Sequence, residues 1–136
     1  MSSYCFDTDV LSAVMRPAPP LHLIRRLAQI PAEEQFTTAV TLGELLYGAS
    51  RRGSARLAER IRELVQFAVA ILPFDEAAAE VYGPLRARLE SDGRLLPEPD
   101  LRIASIALSN DLTLVTGNVR HFVRVPDLRV ENWLAV

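Results

Sequence analysis

The sequence predicts a single three-layer α/β domain spanning residues 1–136, with a short, mostly parallel central sheet flanked by helices. Three observations support this fold class. Apolar runs rich in β-branched and aromatic residues alternate with segments of helical periodicity. The length of 136 residues is close to that of one typical domain. Hydrophobic residues make up 49% of the chain and charged residues 24%, which is typical of a protein with a buried core.

The apolar pattern predicts each element in order. Strands are expected where β-branched and aromatic residues run together, at residues 4–7, 35–39, 69–72, 112–118 and 128–133. Helices are expected where apolar residues recur every three or four positions, after Thr8 and at residues 21–30, 41–50, 55–68, 75–91 and 100–111. Thr41 and Glu44 predict a capping box that begins the third helix. Pro84 predicts a kink in the fifth helix, and Asp100 is expected to open the sixth.

Composition excludes several kinds of site. All 15 basic residues are arginine, so no P-loop or Schiff-base lysine is present. The single cysteine, Cys5, excludes an intrachain disulfide and a thiolate zinc site, and we expect it to be a small buried hydrophobe. His22 and His121 are too few for an evident imidazole metal site. Any bound metal ion must therefore rely on oxygen ligands.

The chain is expected to be a soluble, cytoplasmic protein. Its longest strongly apolar stretch, residues 65–74, is about half of the roughly 20 residues that a membrane span requires. The first ten residues, MSSYCFDTDV, lack the basic and apolar regions of a signal peptide. The net charge of −2 does not by itself indicate nucleic-acid binding. Any nucleic acid must therefore bind through a local part of the surface and not through the overall charge.

Acidic and polar side chains follow the predicted strands, where parallel α/β sheets bind ligands. The candidates are Asp7, Asp9, Thr41 to Glu44, Asp100, Thr116 and Asn118. Converging carboxylates repel one another unless a cation lies among them, and Mg²⁺ or Mn²⁺ prefers oxygen ligands. Each acid taken alone is also explained as a helix cap, and Thr116 and Asn118 as turn formers. Capping does not explain why all of them are expected at one edge.

Four segments resemble, in order, the motifs of PIN domains, and within that family of VapC-type toxin ribonucleases from bacterial type II toxin–antitoxin pairs. They are FDTDVLSAV at residues 6–14, TLGELLYGA at 41–49, residues 72–108 and residues 112–133. The resemblance covers nearly the whole chain and implies a PIN-like fold. It implies that Asp7, Glu44 and Asp100 hold divalent metal, while Asn118 stands where many relatives carry a fourth Asp. Thr116 would orient that end of the site.

The implied activity is Mg²⁺-dependent hydrolysis of RNA phosphodiester bonds, in transfer or ribosomal RNA, with Mn²⁺ as a possible substitute. Asp7 and Asp100 would be primary ligands. Glu44 would hold a water molecule or a second metal ion, and Asn118 would orient water, with Thr8 in a supporting role. Asp9 replaces the family's common Asn, and either tunes metal affinity or pairs with an arginine.

The resemblance also implies a cognate VapB-like antitoxin and a homodimer. The helices at residues 21–30 and 51–67 are expected docking surfaces for the antitoxin. Arginines expected at the rim of the site are candidate RNA contacts, with solvated helix charges or antitoxin contacts as the alternative: Arg86, Arg88, Arg94 and Arg102. A structural role is expected for His121.

Two other functions remain open at this stage. Asp7 and Asp9 after a strand resemble the nucleophile and acid of haloacid-dehalogenase-like phosphohydrolases, but Leu11 and the lack of any lysine argue against that enzyme. A PIN-like module that binds RNA or protein without cutting is the non-enzymatic alternative. The three acids argue against it, and Asn118 argues for it.

Overall fold

Five short parallel strands form one central sheet in a computed structural model, which describes residues 2–135. The strands are β1 (Tyr4–Phe6), β2 (Gln35–Thr38), β3 (Ala70–Leu72), β4 (Thr113–Val115) and β5 (Val130–Glu131). Their order across the sheet is β3-β2-β1-β4-β5. Cys5 of β1 aligns with Phe36 of β2 and Leu114 of β4, so β1 lies at the centre. The predicted α/β class and parallel sheet are confirmed.

Helices flank this sheet and bury its two faces in separate apolar clusters. They are α1 (Thr8–Val14), α2 (Leu21–Ala28), α3 (Ala39–Arg51), α4 (Ala55–Phe67), α5 (Glu76–Ser91), α6 (Glu98–Ser109) and α7 (Val119–Phe122). Cys5 and Leu114 pack in the cluster that includes residues of α5 and α6. Phe6 and Val115, one residue further along each strand, pack in the cluster that includes residues of α1 to α4. Side chains that alternate along each strand thus reach both layers.

The predicted capping box at Thr41 is wrong, because α3 begins two residues earlier. Thr38, the last residue of β2, is extended, and its Oγ1 accepts a hydrogen bond of 3.0 Å from the Thr41 backbone N–H. The strand therefore leads directly into the helix, and Thr41 lies buried in its first turn. Glu44 is consequently not needed as a cap, and its carboxylate lies one turn further along.

Other boundaries differ by a few residues from the prediction. The helix expected to open at Asp100 begins at Glu98, with Pro97 as its N-cap residue and Pro99 in its first turn, where proline costs no helical hydrogen bond. Asp100 remains within that first turn. The helix α5 continues through Pro84. The strand expected up to residue 118 ends at Val115, and the short helix α7 follows it unpredicted.

Cys5 is fully buried, as predicted, and burial raises the pKa of its thiol. Within residues 2–135, none of the helices combines the length and the hydropathy that a membrane crossing requires.

Candidate functional site

The carboxyl ends of β1, β2 and β4 meet at one edge of the sheet, where they place the candidate acids. Asp7 follows β1 directly, and its backbone N–H donates to the Val115 carbonyl at 3.0 Å. Thr116 follows β4 directly. Glu44 is in the second turn of α3 after β2, and Asp100 is in the first turn of α6. This edge is where parallel α/β sheets commonly bind ligands.

Asp7 caps α1 and is also the buried acid of the site. Its Oδ1 accepts from the Thr8 backbone N–H at 2.8 Å, and its Oδ2 accepts from Thr116 Oγ1 at 2.8 Å. Burial raises the pKa of Asp7 to about 6, and the nearby carboxylates of Asp9 and Asp100 add to this effect against the two hydrogen bonds. The same side chain therefore caps α1 and belongs to the candidate site.

Thr8 connects Glu44 to the start of α1. Its Oγ1 donates a hydrogen bond of 2.8 Å to Glu44 Oε1, across 36 residues of sequence. Asp7 accepts a hydrogen bond from the backbone N–H of the same Thr8. Thr8 therefore bridges Asp7 and Glu44. The supporting role expected for Thr8 stays a prediction, and this hydrogen bond is the contact through which it would act.

His121 lies between Asp100 and Asn118. Its Nδ1 is 3.2 Å from Asp100 Oδ2 and 2.8 Å from Asn118 Nδ2. A ring nitrogen donates in one tautomer and accepts in the other, so its proton decides which contact is a hydrogen bond. The Asn118 backbone N–H in turn donates to Thr116 Oγ1 at 3.0 Å. A structural role was expected for His121, and its contact with Asp100 had no signal in the sequence, because the helix α7 that carries it was not predicted.

Asp9 is held by the loop that follows β4. Its Oδ2 accepts from the Gly117 backbone N–H at 2.9 Å. A Cβ on Gly117 would lie 2.7 Å from that oxygen, so the close approach requires glycine. Burial raises the pKa of Asp9, and Asp100 raises it further. Within residues 2–135 Asp9 forms no ion pair with an arginine, which removes one of the two roles expected for it.

The acids offer a partial set of metal ligands. In the part of the chain that the structure describes, no three His, Cys, Asp or Glu side chains are grouped as a complete metal-binding set. Mg²⁺ commonly takes only one or two carboxylates and completes its shell with water and substrate phosphates. Asp7 and Asp100 are close enough to raise the pKa of Asp7, and the buried Asp9 Oδ1 has no hydrogen-bond partner. Such a donor set fits one hard divalent cation.

The four arginines predicted at the rim lie on or beside α5 and α6, and two of them are already paired. Arg86 donates to Glu90 Oε1 and to the Tyr82 hydroxyl, each at 3.0 Å. Arg102 donates to Glu98 Oε1 at 2.6 Å. Arg88 and Arg94 are exposed, with no ion pair in residues 2–135. Their RNA-binding role stays a prediction.

A groove of about 560 Å³ opens beside Thr8 and Glu44, between α1, α3 and α4. Its lining includes three exposed arginines that are not among the four predicted at the rim: Arg16, Arg52 and Arg60. They are far apart in sequence, so no local motif indicated that they share a groove. The structure thus adds basic side chains on the Glu44 side of the site.

Comparison with known proteins agrees with this geometry. The model of the PIN domain matches residues 4–128. The chain is 33% identical over 134 residues to Ribonuclease VapC2 of Haemophilus influenzae, a match that covers 98% of this chain and 100% of that protein. The chain belongs to the PIN domain family, within its VapC ribonucleases. It is also 32% identical over 136 residues to the tRNA(fMet)-specific endonuclease VapC of Shigella flexneri, covering 98% and 99% of the two chains.

Solved structures of VapC relatives share the PIN fold. The match to a chain of VapBC-1 from nontypeable Haemophilus influenzae has a TM-score of 0.84 at 30% identity, covering 96% of this chain and 97% of that one. A chain of DNA-bound VapBC from Salmonella typhimurium matches with a TM-score of 0.79 at 30% identity, covering 98% and 99%. The resemblance predicted from four motifs is confirmed, and a nuclease is favoured over the phosphohydrolase alternative.

Proposed function

We propose that this PIN domain is a Mg²⁺-dependent endoribonuclease that hydrolyses phosphodiester bonds of transfer or ribosomal RNA, as the toxin of a VapBC-like pair. The observation that carries the proposal is the meeting of Asp7, Glu44 and Asp100 at one sheet edge, joined through Thr8, Thr116 and His121. Membership of the VapC ribonucleases supports the nuclease.

Asp7 and Asp100 hold the cation in this proposal, with Mn²⁺ able to replace Mg²⁺. When bound, the ion supplies Lewis-acid chemistry, activating water and stabilising charge on the phosphoryl oxygens. Asp7 has a pKa of about 6, so it is mostly ionised at pH 7.5 and available as a ligand. Glu44 and Asn118 orient water beside the reacting phosphate.

Hydrogen bonds to the acids hold them in place before RNA binds. Thr116 Oγ1 donates to Asp7, and Thr8 Oγ1 donates to Glu44. Partners of this kind fix the orientation of carboxylates that bind metal. The proposed site therefore needs little rearrangement of these two acids.

The RNA substrate is proposed from charge and from a relative. Exposed arginines line the groove beside Glu44, among them Arg52 and Arg60, while Arg88 and Arg94 are exposed on α5 and in the loop that follows it. Such residues attract a polyanion locally even though the chain carries a net charge of −2. The Shigella flexneri relative is named as a tRNA(fMet)-specific endonuclease, which makes transfer RNA the first substrate to test.

The proposed partners are a VapB-like antitoxin and a second copy of the chain, all in the cytoplasm. Relatives were solved as VapBC assemblies, which supports an antitoxin. Large apolar side chains are exposed on the helices expected to dock it: Leu21 of α2 is 61% exposed and Phe67 of α4 is 77% exposed. Burial of such side chains against a partner helix would stabilise the complex.

Cleavage of an RNA pool by the purified, antitoxin-free protein tests the function. Transfer and ribosomal RNA are incubated with Mg²⁺, Mn²⁺ or EDTA, beside folded Asp7→Asn and Asp100→Asn variants. We expect discrete fragments that require metal and both acids. If the folded wild type binds RNA and metal but cuts nothing, the binding-module alternative replaces the nuclease.

A further inference from the structure

The groove between α1, α3 and α4 concentrates positive charge in a chain whose net charge is −2. Three exposed arginines line it: Arg16 follows α1, Arg52 is the C-cap residue of α3, and Arg60 lies on α4. Among the described residues that line the groove, Glu44 is the only carboxylate. Three positive charges from three different parts of the fold therefore face one negative charge.

These arginines have no acidic partner among the described residues. None of the three forms an ion pair with an Asp or Glu side chain within residues 2–135. The C-terminal end of a helix favours a basic residue, which explains Arg52 but not Arg60 in the middle of α4. Positive charges gathered in one cleft raise its local potential and attract anions. The planar guanidinium group also matches the oxygens of a phosphate group.

The groove adjoins the proposed reaction site. Thr8 and Glu44 both line it, and Thr8 Oγ1 donates a hydrogen bond of 2.8 Å to Glu44 Oε1. Asp7 accepts from the Thr8 backbone N–H at 2.8 Å. The groove volume of about 560 Å³ is in the usual range for ligand sites. An RNA strand with its scissile phosphate at these acids therefore has room in the groove for neighbouring backbone.

We propose that this groove binds the RNA strand beside the bond that is cut, and that Arg52 and Arg60 contact its backbone phosphates. Arg16 adds to the positive charge. The inference rests on the proposed function, because it takes RNA as the substrate of the adjoining acids. An acidic protein segment would also be attracted by charge, but the groove opens beside the acids that cut the RNA. Phosphate contacts position a strand without reading its sequence, so these arginines contribute affinity for RNA in general.

Two pairs of substitutions separate the groove from charge in general. Arg52→Ala and Arg60→Ala each remove a groove arginine. The matched controls, Arg51→Ala on α3 and Arg62→Ala on α4, remove exposed arginines outside the lining that form no ion pair within residues 2–135. We expect each groove variant to bind RNA about 3-fold to 10-fold more weakly. The slope of log Kd against log salt should fall by about 0.7, the contribution of one contact to a single strand.

The measurement is fluorescence anisotropy of a short labelled single-stranded RNA over a series of KCl concentrations, with circular dichroism to verify each fold. EDTA is present, so that binding is measured without metal-dependent cleavage. Cleavage by the same variants in Mg²⁺ is then measured separately. The groove variants should raise KM and leave kcat within about twofold of the wild type, because the lost contact is made equally before and during the reaction.

Weaker binding and a lower salt slope in Arg52→Ala and Arg60→Ala, beside unchanged controls, support the inference. Wild-type slopes in both groove variants overturn it, as do equal losses in all four variants. Loss of affinity for a polyglutamate peptide with unchanged RNA binding also overturns it, and would assign the groove to an acidic protein segment. A wild type that binds RNA through the groove but cuts nothing overturns the proposed nuclease and supports the groove assignment, which distinguishes the two failures.

Discussion

Replacing Asp7 with Asn should stabilise the metal-free protein, although it removes the main proposed metal ligand. Burial raises the pKa of Asp7 from 3.8 to about 6, which means that the folded state disfavours its charge. A difference of about 2 pKa units corresponds to about 3 kcal/mol at neutral pH. Asn retains an acceptor for the Thr8 N–H, and its weaker contact with Thr116 costs about 1 kcal/mol. The net gain is about 2 kcal/mol in the free energy of unfolding.

The sign of the pH dependence follows from the same shift. Between about pH 4 and 6 the folded protein binds the Asp7 proton more tightly than the unfolded chain does. The contribution of Asp7 to the free energy of unfolding therefore falls as pH rises through this window. The advantage of Asp7→Asn should be full at pH 7.5 and should disappear below about pH 4.

Urea unfolding in EDTA, at pH 7.5 and at pH 4, measures this difference, with Asp92→Asn as the control. Adding Mn²⁺ at about 100 times its Kd should then stabilise the wild type by about 2.7 kcal/mol and leave Asp7→Asn unchanged. The reasoning is refuted if Asp7→Asn is less stable than the wild type at pH 7.5 without metal. It is equally refuted if Mn²⁺ stabilises both proteins to the same extent.

Three further predictions concern the same site. Mn²⁺ affinity, measured by titration calorimetry, should fall as pH drops through about 6, since Asp7 must lose its proton; a flat profile from pH 5 to 7.5 would contradict this. Gly117→Ala should lower the free energy of unfolding by about 1–3 kcal/mol, because its Cβ meets the Asp9 carboxylate; an unchanged melting temperature would be inconsistent with that contact. His121→Ala should weaken Mn²⁺ binding by about 10-fold to 100-fold through loss of its contact with Asp100, with the fold intact by circular dichroism; wild-type affinity would rule out a positioning role.

The sequence predicted those parts of the fold that depend on local pattern. The run YCF and the apolar residues after it identified β1 and α1, and Asp7 was placed at the end of that strand. Parallel strands then brought Asp7, Glu44 and Asp100 to one edge, as expected. The ends of the elements were less predictable. Thr38 and Thr41 are both good N-cap residues for α3, and Thr38 is the cap because β2 ends there.

The local sequence pattern could not predict contacts between segments that are distant in sequence. His121 meets Asp100 across 21 residues, and Gly117 meets Asp9 across 108. The sequence left two roles open for Asp9, and the structure shows that among residues 2–135 its carboxylate contacts Gly117 in the loop after β4 and forms no ion pair with an arginine. The groove arginines, such as Arg52, were missed for the same reason.

Anomalous scattering from a crystal grown or soaked with Mn²⁺ tests most directly the claim that these acids form a cation site. The account predicts a peak within coordination distance of carboxylate oxygens of Asp7 and Asp100, and its loss in Asp7→Asn. A fully ordered site with no peak at saturating Mn²⁺, or a peak bound only elsewhere on the surface, would contradict it.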